Sequence, residues 1–138
     1  MSVEFRHKAT AAMLFSYPGT LTRYVLAMKL TPLLQLFPLG TFIANTGGTA
    51  LIGMFHILQR TPKLPSQNAC AILQGLMDGY CGCLTTVSTF AVEVGALTTR
   101  RAWLYVFISF VTSQLLLLVI LGPSWLSGID DSRVCTFA

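Results

Sequence analysis

The stretch Gly79-Tyr80-Cys81-Gly82-Cys83-Leu84-Thr85-Thr86-Val87-Ser88-Thr89-Phe90 decides how this chain folds, because it places two glycines and four Ser/Thr hydroxyls inside a hydrophobic segment. Each glycine weakens a helix by roughly 1 kcal/mol relative to alanine, and hydroxyls can satisfy backbone groups that a break sets free. The composition therefore predicts an interrupted helix whose broken ends face protein, as in the ion sites of transporters and channels. A continuous helix with small residues for close packing is the alternative.

The composition of the whole chain indicates a membrane protein. Of its 138 residues, 54% are hydrophobic and only 10% are charged, whereas a soluble domain carries about 25% charged residues. Most charges fall at residues 4–8, at 60–63, at 100–101 and at 130–133. The net charge of +4 reflects basic residues at the ends of apolar stretches and not a basic stripe interleaved with aromatics, so we expect no nucleic-acid partner.

The hydropathy pattern predicts four spans in a single domain over residues 1–138. The first covers about residues 9–30 and is interrupted by Pro18-Gly19, the second covers 39–58, the third 68–97, and the fourth 102–121 until Gly122-Pro123 ends it. Each is long enough to cross about 30 Å of hydrocarbon at 1.5 Å per residue. The predicted fold is an all-α membrane protein with four transmembrane helices, the third broken near its middle.

The second span carries two neighbouring strips with a spacing of four residues. The first strip is made of small residues that suit close helix contact: Gly40, Ala44 and Gly48. The second strip is mostly polar: Thr41, Asn45, Thr49 and Gly53. An amide in mid-membrane is costly unless it is satisfied, so Asn45 either makes an interhelical hydrogen bond or lines a pore.

Several other side chains allow more than one interpretation. Arg23 could concentrate anions in a vestibule or extend to the membrane interface. Glu93 would repel an anion, so a structural hydrogen bond or a position at the end of a span is expected. Cys81 and Cys83 lack metal-ligand spacing and are interpreted as packing residues. Aromatic residues near the ends of the last span are expected in the membrane-interface belts: Trp103, Tyr105 and Trp125.

Three motifs on three different spans resemble the small fluoride channels and fluoride exporters. The first is Pro18-Gly19-x-x-x-Arg23-Tyr24, the second Gly40-Thr41-x-x-x-Asn45-x-x-Gly48, and the third Gly79-Tyr80-Cys81-Gly82-x-Leu84-Thr85-Thr86-x-Ser88-Thr89-Phe90-x-x-Glu93. The variant Leu73-Gln74-Gly75-Leu76-Met77-Asp78-Gly79-Tyr80-Cys81-Gly82-Cys83 is most similar to the second repeat of the fungal exporters. The resemblance covers about residues 16–122.

The resemblance implies a fluoride-selective channel in a membrane, expected to be the plasma membrane, which exports fluoride passively. It implies an inverted second repeat as partner, identical or homologous, and a structural sodium ion on the backbone carbonyls of Gly82 and Thr85. It also implies an anion pore lined by matching residues of this chain: Asn45, Ser88, Thr89 and Phe90, with Arg23 as a vestibule candidate.

One position departs from the bacterial pattern, because Val87 stands where those channels have phenylalanine. The hypothesis is that this repeat supplies an incomplete aromatic lining and that its pore is silent.

Two other functions remain open on the sequence. A small dual-topology drug transporter would need a membrane carboxylate in its first span, and the span at 9–30 has none. A non-conducting fragment that only stabilises a partner repeat is the other alternative. No nucleophile, general base or metal-ligand set is visible, so we do not expect an enzyme.

Overall fold

The computed structural model describes residues 3–34, 37–60 and 67–127. Helix α1 covers Val3–Leu30 and is followed by a short 3-10 turn, Thr31–Leu33; α2 covers Leu39–Arg60. The next segment consists of α3 (Gln67–Gly75), a π-helical turn (Leu76–Cys81) and the single turn α4 (Gly82–Leu84). After two extended residues come α5 (Val87–Ala96) and α6 (Thr99–Leu126). Within these ranges the fold is all-α and no strand is present.

The predicted interruption of the third helical segment is confirmed. Thr85 has φ −76° and ψ 147°, and Thr86 has φ −151° and ψ 129°, so both residues are extended between α4 and α5. The four helical segments of the prediction are α1, α2, the broken segment of residues 67–96, and α6. The break divides that segment into a longer first part and a ten-residue second part, α5.

The predicted interruption of the first helix at Pro18-Gly19 is wrong, because α1 runs through both residues. A proline removes one backbone donor from a helix, and membrane helices tolerate this loss where neighbouring elements pack against them. Gly19 marks a close contact instead of a break. A Cβ placed there would run into the carbonyl oxygen of Tyr80 on the π-helical turn.

The fourth helix also continues past its predicted end at Gly122-Pro123, to Leu126. The Pro123 carbonyl oxygen still accepts from the Ser127 N–H at 3.1 Å, and the Ser124 hydroxyl donates to the Leu121 carbonyl oxygen at 2.7 Å. A proline in the last turn of a helix thus marks its approaching end and does not stop it at once.

Helix α1 packs against the π-helical turn and α3 through small residues. A Cβ added to Gly75 would lie 2.5 Å from the Ala11 Cβ, and one added to Gly79 would collide with the Ala12 backbone. Small residues allow membrane helices to bring their backbones together, which is a main source of packing energy in lipid. The glycines of this segment therefore serve helix contact as well as the break.

Helix α2 contacts its neighbours through the strip of small residues that the sequence predicted. Ala44 is fully buried, a Cβ on Gly40 would lie 2.6 Å from the Ala27 Cα, and one on Gly48 would lie 2.5 Å from the Thr85 Cγ2. Gly53, assigned above to the polar strip, instead packs against Ile120 of α6, with an added Cβ 3.1 Å from its Cγ2. The packing strip is confirmed, and it places α2 directly against the break.

The outer surface of the bundle is apolar. In α6, Phe107, Leu118 and Trp125 are 66%, 70% and 74% exposed, a surface that fits lipid and not water. Helices Leu39–Arg60 and Thr99–Leu126 are each long and apolar enough to cross a membrane. Trp103 is also exposed, as an interface-belt residue would be, but Tyr105 is only 1% exposed. The assignment of Tyr105 to a belt is therefore wrong.

Candidate functional site

The extended residues of the break are held by Asn45 on α2. The Asn45 Nδ2 donates to the Thr86 carbonyl oxygen at 3.1 Å, and the Thr86 N–H donates to the Asn45 Oδ1 at 2.7 Å. The side-chain amide thus pairs with the backbone of Thr86 as a neighbouring strand would. The interhelical hydrogen bond considered for Asn45 is present, and its amide nitrogen has a second N–H that this pairing does not use.

The break leaves the backbone carbonyls from residue 82 to residue 85 without their helical donors. In a continuous helix the Gly82 carbonyl would accept from the Thr86 N–H, but that N–H donates to Asn45. The Thr85 carbonyl would accept from the Thr89 N–H, but Thr89 donates to the Thr86 hydroxyl at 3.4 Å. Gly82 and Thr85, the two sodium candidates of the sequence, are therefore among the four residues whose carbonyls lose their helical donors, together with Cys83 and Leu84.

Thr86 also starts α5 as its N-cap, with its hydroxyl accepting from the Thr89 N–H. A threonine cap satisfies one of the donors left open at a helix start and contributes about 1 kcal/mol. Its hydroxyl lies 3.2 Å from the Ser88 Oγ and 3.4 Å from the Thr89 Oγ1. The Thr86 hydroxyl thus contacts two others at the N-terminus of α5, whose partial positive charge favours an anion.

A cavity of about 440 Å³ lies at the break. Its lining brings α2 and the broken segment together: Asn45, Thr49, Ile52, Gly82, Thr85, Thr86 and Val87. Three predicted site residues, Asn45, Gly82 and Thr85, thus meet in one cavity. Ser88 and Thr89 follow directly along α5 and are exposed. Arg23 lies on α1 with intermediate exposure and does not line this cavity.

Phe90 faces an aromatic cluster at the far side of α5. Its ring centroid lies 4.9 Å from that of Tyr105, and Tyr105 contacts Phe37 edge-to-face at 5.0 Å. Phe37 in turn meets Phe42 edge-to-face at 5.3 Å. These contacts fix the Phe90 ring one helical turn beyond the break, where aromatic edges carry partial positive charge.

Glu93 anchors α5 to α2 and α6. Its Oε1 accepts from the Thr41 hydroxyl at 2.6 Å and its Oε2 accepts from the Tyr105 hydroxyl at 3.0 Å. Thr41 is 2% exposed and Tyr105 is 1% exposed, so both donors lie in the interior. The structural hydrogen bond expected for Glu93 is confirmed.

We expect Tyr105→Phe to lower the free energy of unfolding by about 1.5–3 kcal/mol, because it removes one of two hydroxyl donors from a part-buried carboxylate. Reversible unfolding in detergent micelles measures the change. Tyr17→Phe is the matched control, since Tyr17 is 71% exposed on α1 and the same substitution there should change stability by less than about 0.5 kcal/mol. Equal effects of the two substitutions would contradict an anchoring role for Glu93.

The residues that sequence reasoning missed are Thr86, Thr41 and Tyr105. Thr86 lies in the glycine-rich stretch directly before an apolar run, and a threonine in that position is a helix-start signal that could have identified it as an N-cap. Thr41 on α2 and Tyr105 on α6 belong to the site only because both donate to Glu93 on α5, a contact between three elements that the sequence does not show.

The free thiol of Cys81 is fully buried, as expected for a packing residue, and Cys83 is partly exposed. Among the described ranges, no cluster of three or more His, Cys, Asp or Glu side chains could hold a metal ion.

Residues 10–123 match the family described as CrcB-like protein, Camphor Resistance (CrcB). The chain belongs to the CrcB family. The matched range contains the break, Asn45, the Glu93 anchor and the α5 hydroxyls, so the whole site lies within the family domain. Membership makes the chain a membrane protein.

Named relatives come from fungi and bacteria. The chain is 41% identical over 130 residues to Fluoride export protein 1 of Neurospora crassa, covering 94% of this chain and 25% of that protein. It is 37% identical over 135 residues to Fluoride export protein 1 of Saccharomyces cerevisiae, covering 91% and 36%. Fluoride-specific ion channel FluC of Chlorobium chlorochromatii is 31% identical over 115 residues, covering 80% and 87%. The chain thus spans 25–36% of the length of these fungal relatives and most of the length of the bacterial one.

Proposed function

We propose that this chain is one repeat of a fluoride-selective channel that exports fluoride passively across the plasma membrane. The observation that carries the proposal is the break at Thr85 and Thr86, held open by Asn45 inside a helix bundle with an apolar exterior. Irregular backbone at membrane depth is tolerated where it is buried in protein or lines a cavity, and there it serves ion sites. We infer that the transported ion is fluoride from the names of the fungal and bacterial relatives.

The donors around the break suit a small, tightly hydrated anion, because a pore must replace the water that fluoride gives up. The second N–H of Asn45 and the hydroxyls of Ser88 and Thr89 are donors that can turn toward an anion. The Phe90 ring offers a weakly positive edge, which can face fluoride without holding it too tightly. In this proposal the anion passes from Asn45 along the α5 hydroxyls to Phe90.

A structural sodium ion is proposed at the carbonyls of Gly82 and Thr85. Hard cations in membrane proteins bind unwound backbone carbonyls at broken helices, and both carbonyls lose their helical donors at the break, because the Thr86 and Thr89 N–H groups bond to Asn45 and to the Thr86 hydroxyl. A bound cation would add positive charge beside the anion path. Two carbonyls do not complete the coordination shell of a sodium ion, so the ion would need further oxygen ligands from a partner.

The partner we propose is an inverted second repeat, identical or homologous, packed against the break. Gly82 is exposed, Val87 is 82% exposed and Val92 is 73% exposed, while α5 has no buried residue. A second repeat would cover the break and part of this exposed helix, and its own break would bring the missing carbonyls. Arg23 is proposed as a vestibule residue that attracts anions, since it lies on α1 outside the cavity at the break.

Passive export follows from the chemistry of the ion. Hydrogen fluoride crosses membranes uncharged, dissociates inside and leaves the fluoride anion trapped. A channel lets that anion leave down its electrochemical gradient without any enzymatic step. Membership of the CrcB family favours this function over the drug-transporter hypothesis.

Fluoride sensitivity of cells tests the proposal. A yeast strain without its own fluoride exporters should gain fluoride resistance when it expresses this chain with an inverted partner repeat. The Asn45→Leu variant, expressed at the same level in the same membrane, is the control and should give no resistance. Equal sensitivity with the intact chain, with its variant and with an empty vector would contradict the proposal.

A non-conducting repeat that stabilises its partner is the second candidate, and the side chain at position 87 favours it. Valine lacks an aromatic edge, and its high exposure places it at the surface that the partner would cover. In this alternative the chain co-purifies with a conducting partner repeat, but it carries no flux alone.

Val87→Phe separates a silent pore from a working one. The side chain is 82% exposed, so the larger ring can be accommodated without displacing the bundle. If the pore is silent, fluoride efflux should stay within about a factor of two of the parent chain or increase, because the change adds an aromatic edge. A large loss of flux would contradict the silent-pore hypothesis, and Val92→Phe is a matched control on the same exposed helix.

A further inference from the structure

A groove of about 500 Å³ lies between the C-terminal halves of α2 and α6, away from the break. The two helices run in the same direction, because Phe37, just before α2, meets Tyr105 near the start of α6, and Gly53 further along α2 meets Leu117 and Ile120 further along α6. Their C-terminal ends therefore lie on the same side of the membrane. The anion path described above does not use this groove.

The groove is polar at one end and mostly apolar along its length, with Gln114 among the lining residues at the other end. Arg60, the last residue of α2, lies at the end together with Ser124 and Trp125 in the final turns of α6. Below this end the α6 wall is mostly leucine: Leu115, Leu117, Leu118 and Leu121. Leu115 and Leu118 are 56% and 70% exposed, so the groove is open along its side.

The length of the groove matches one leaflet. From Leu115 to Trp125 a helix rises by about 15 Å, which is half of the roughly 30 Å hydrocarbon core. A tryptophan at one end and leucines below it are the arrangement expected for a wall that runs from the headgroup level to the middle of the bilayer. The dimensions fit an acyl chain lying along α6.

The charge at the polar end favours an anionic headgroup. The ends of α2 and α6 carry partial negative charge from their last carbonyls, so the Arg60 guanidinium is the group that makes an anion favourable there. A guanidinium has five N–H donors and binds phosphate in a fixed geometry, which allows it to hold a phosphate beside another partner. His56, one turn earlier on α2, lines the same groove.

We propose that this groove binds one anionic phospholipid of the adjacent leaflet. Its phosphate lies at Arg60, and one acyl chain lies along Leu115, Leu118 and Leu121. A zwitterionic lipid offers the same chains, but its own cationic group offsets the phosphate charge. Arg60 therefore gives the site its preference for an anionic lipid.

Fluorescence quenching of Trp125 by brominated lipids tests this site. The chain has two tryptophans, so Trp103→Phe leaves Trp125 as the only reporter. The Trp103→Phe variant is placed in phosphatidylcholine vesicles that contain a small fraction of either brominated phosphatidylglycerol or brominated phosphatidylcholine. We expect about fivefold stronger apparent binding of the anionic lipid, the size expected for one basic residue at a membrane surface.

Three variants, each made with Trp103→Phe, show where the preference comes from. Arg60→Gln should bring the two lipids to equal quenching, whereas Arg100→Gln, the same charge change at the opposite end of α6, should keep the preference. Gly122→Leu should reduce quenching by both lipids, because Gly122 lines the groove and a Cβ there meets open space. Circular dichroism checks that each variant retains its helices.

Equal quenching by the two lipids in the parent chain would overturn the proposal, as would an equal loss of preference in Arg60→Gln and Arg100→Gln. Weak quenching by both lipids would also overturn it, since a protein surface such as a second copy would then cover the groove.

Discussion

Replacing Asn45 with leucine is expected to lower the free energy of unfolding by about 2–6 kcal/mol, because it leaves two backbone groups unpaired in the interior at about 1–3 kcal/mol each. The Thr86 N–H loses the Asn45 Oδ1, and the Thr86 carbonyl loses the Asn45 Nδ2. A leucine side chain has no donor or acceptor that could replace these bonds. Without them, the extended residues Thr85 and Thr86 lose the contact with α2 that holds the break open.

The same change should reduce fluoride efflux at least about tenfold, the equivalent of one lost hydrogen bond to a charged group. Unfolding in detergent micelles and efflux from liposomes measure the two effects. Thr49→Val is the matched control in the same cavity, because the Thr49 hydroxyl donates only within α2, to the Asn45 carbonyl. Equal losses in the two variants would mean that Asn45 acts only by filling space.

Replacing Gly79 with alanine should separate α1 from the π-helical turn. The new Cβ would collide with the Ala12 carbonyl oxygen and would lie 2.9 Å from the Ala12 Cα. Neither of these backbone atoms can rotate away. Overpacking of this kind costs about 1–3 kcal/mol and more where backbone must move. Because the π-helical turn leads directly into the break, we also expect a loss of fluoride flux.

Gly47→Ala on α2 is the control for this prediction, since a Cβ at Gly47 meets nothing within 4 Å. Removing a glycine from a helix there should raise stability by up to about 1 kcal/mol. The two glycine substitutions are thus expected to change the unfolding free energy in opposite directions. If Gly79→Ala proved as stable as Gly47→Ala, the close contact between α1 and the π-helical turn would be contradicted.

The existence of the break could be predicted from composition, because glycines and hydroxyls inside an apolar segment have few other uses. Its position could not. The backbone opens at Thr85 and Thr86 because the amide of Asn45, forty-one positions earlier, reaches them. Local rules alone would place a break at a glycine, yet Gly79 and Gly82 remain helical.

The proline rules failed for the same reason. Pro18 and Pro123 were predicted to interrupt or end helices, and both lie inside them. Membrane helices tolerate a proline where neighbouring elements support them, and α1 packs closely against the π-helical turn at Gly19 and Gly79. Tertiary contacts in the bundle therefore overrode a local preference.

The candidate site was partly predictable. Asn45 was identified because a lone amide in an apolar span must have a partner, and its partner is the break itself. Tyr105 was misassigned, because an aromatic residue near the end of a span looks the same whether it faces lipid or a buried carboxylate. Only the contact with Glu93 distinguishes the two environments. The roles of Arg23 and of the sodium ligands stay predictions.

Ion efflux from liposomes that hold only this chain is the most direct measurement of the central claim, that the Asn45-held break forms an anion path. A fluoride electrode follows efflux, chloride loading gives the comparison, and the oligomeric state is measured on the same sample. We predict rapid fluoride efflux from a paired form, negligible chloride efflux, and loss of the fluoride signal in Asn45→Leu. Fluoride efflux that persists unchanged in Asn45→Leu, or chloride efflux as fast as fluoride, would contradict this claim.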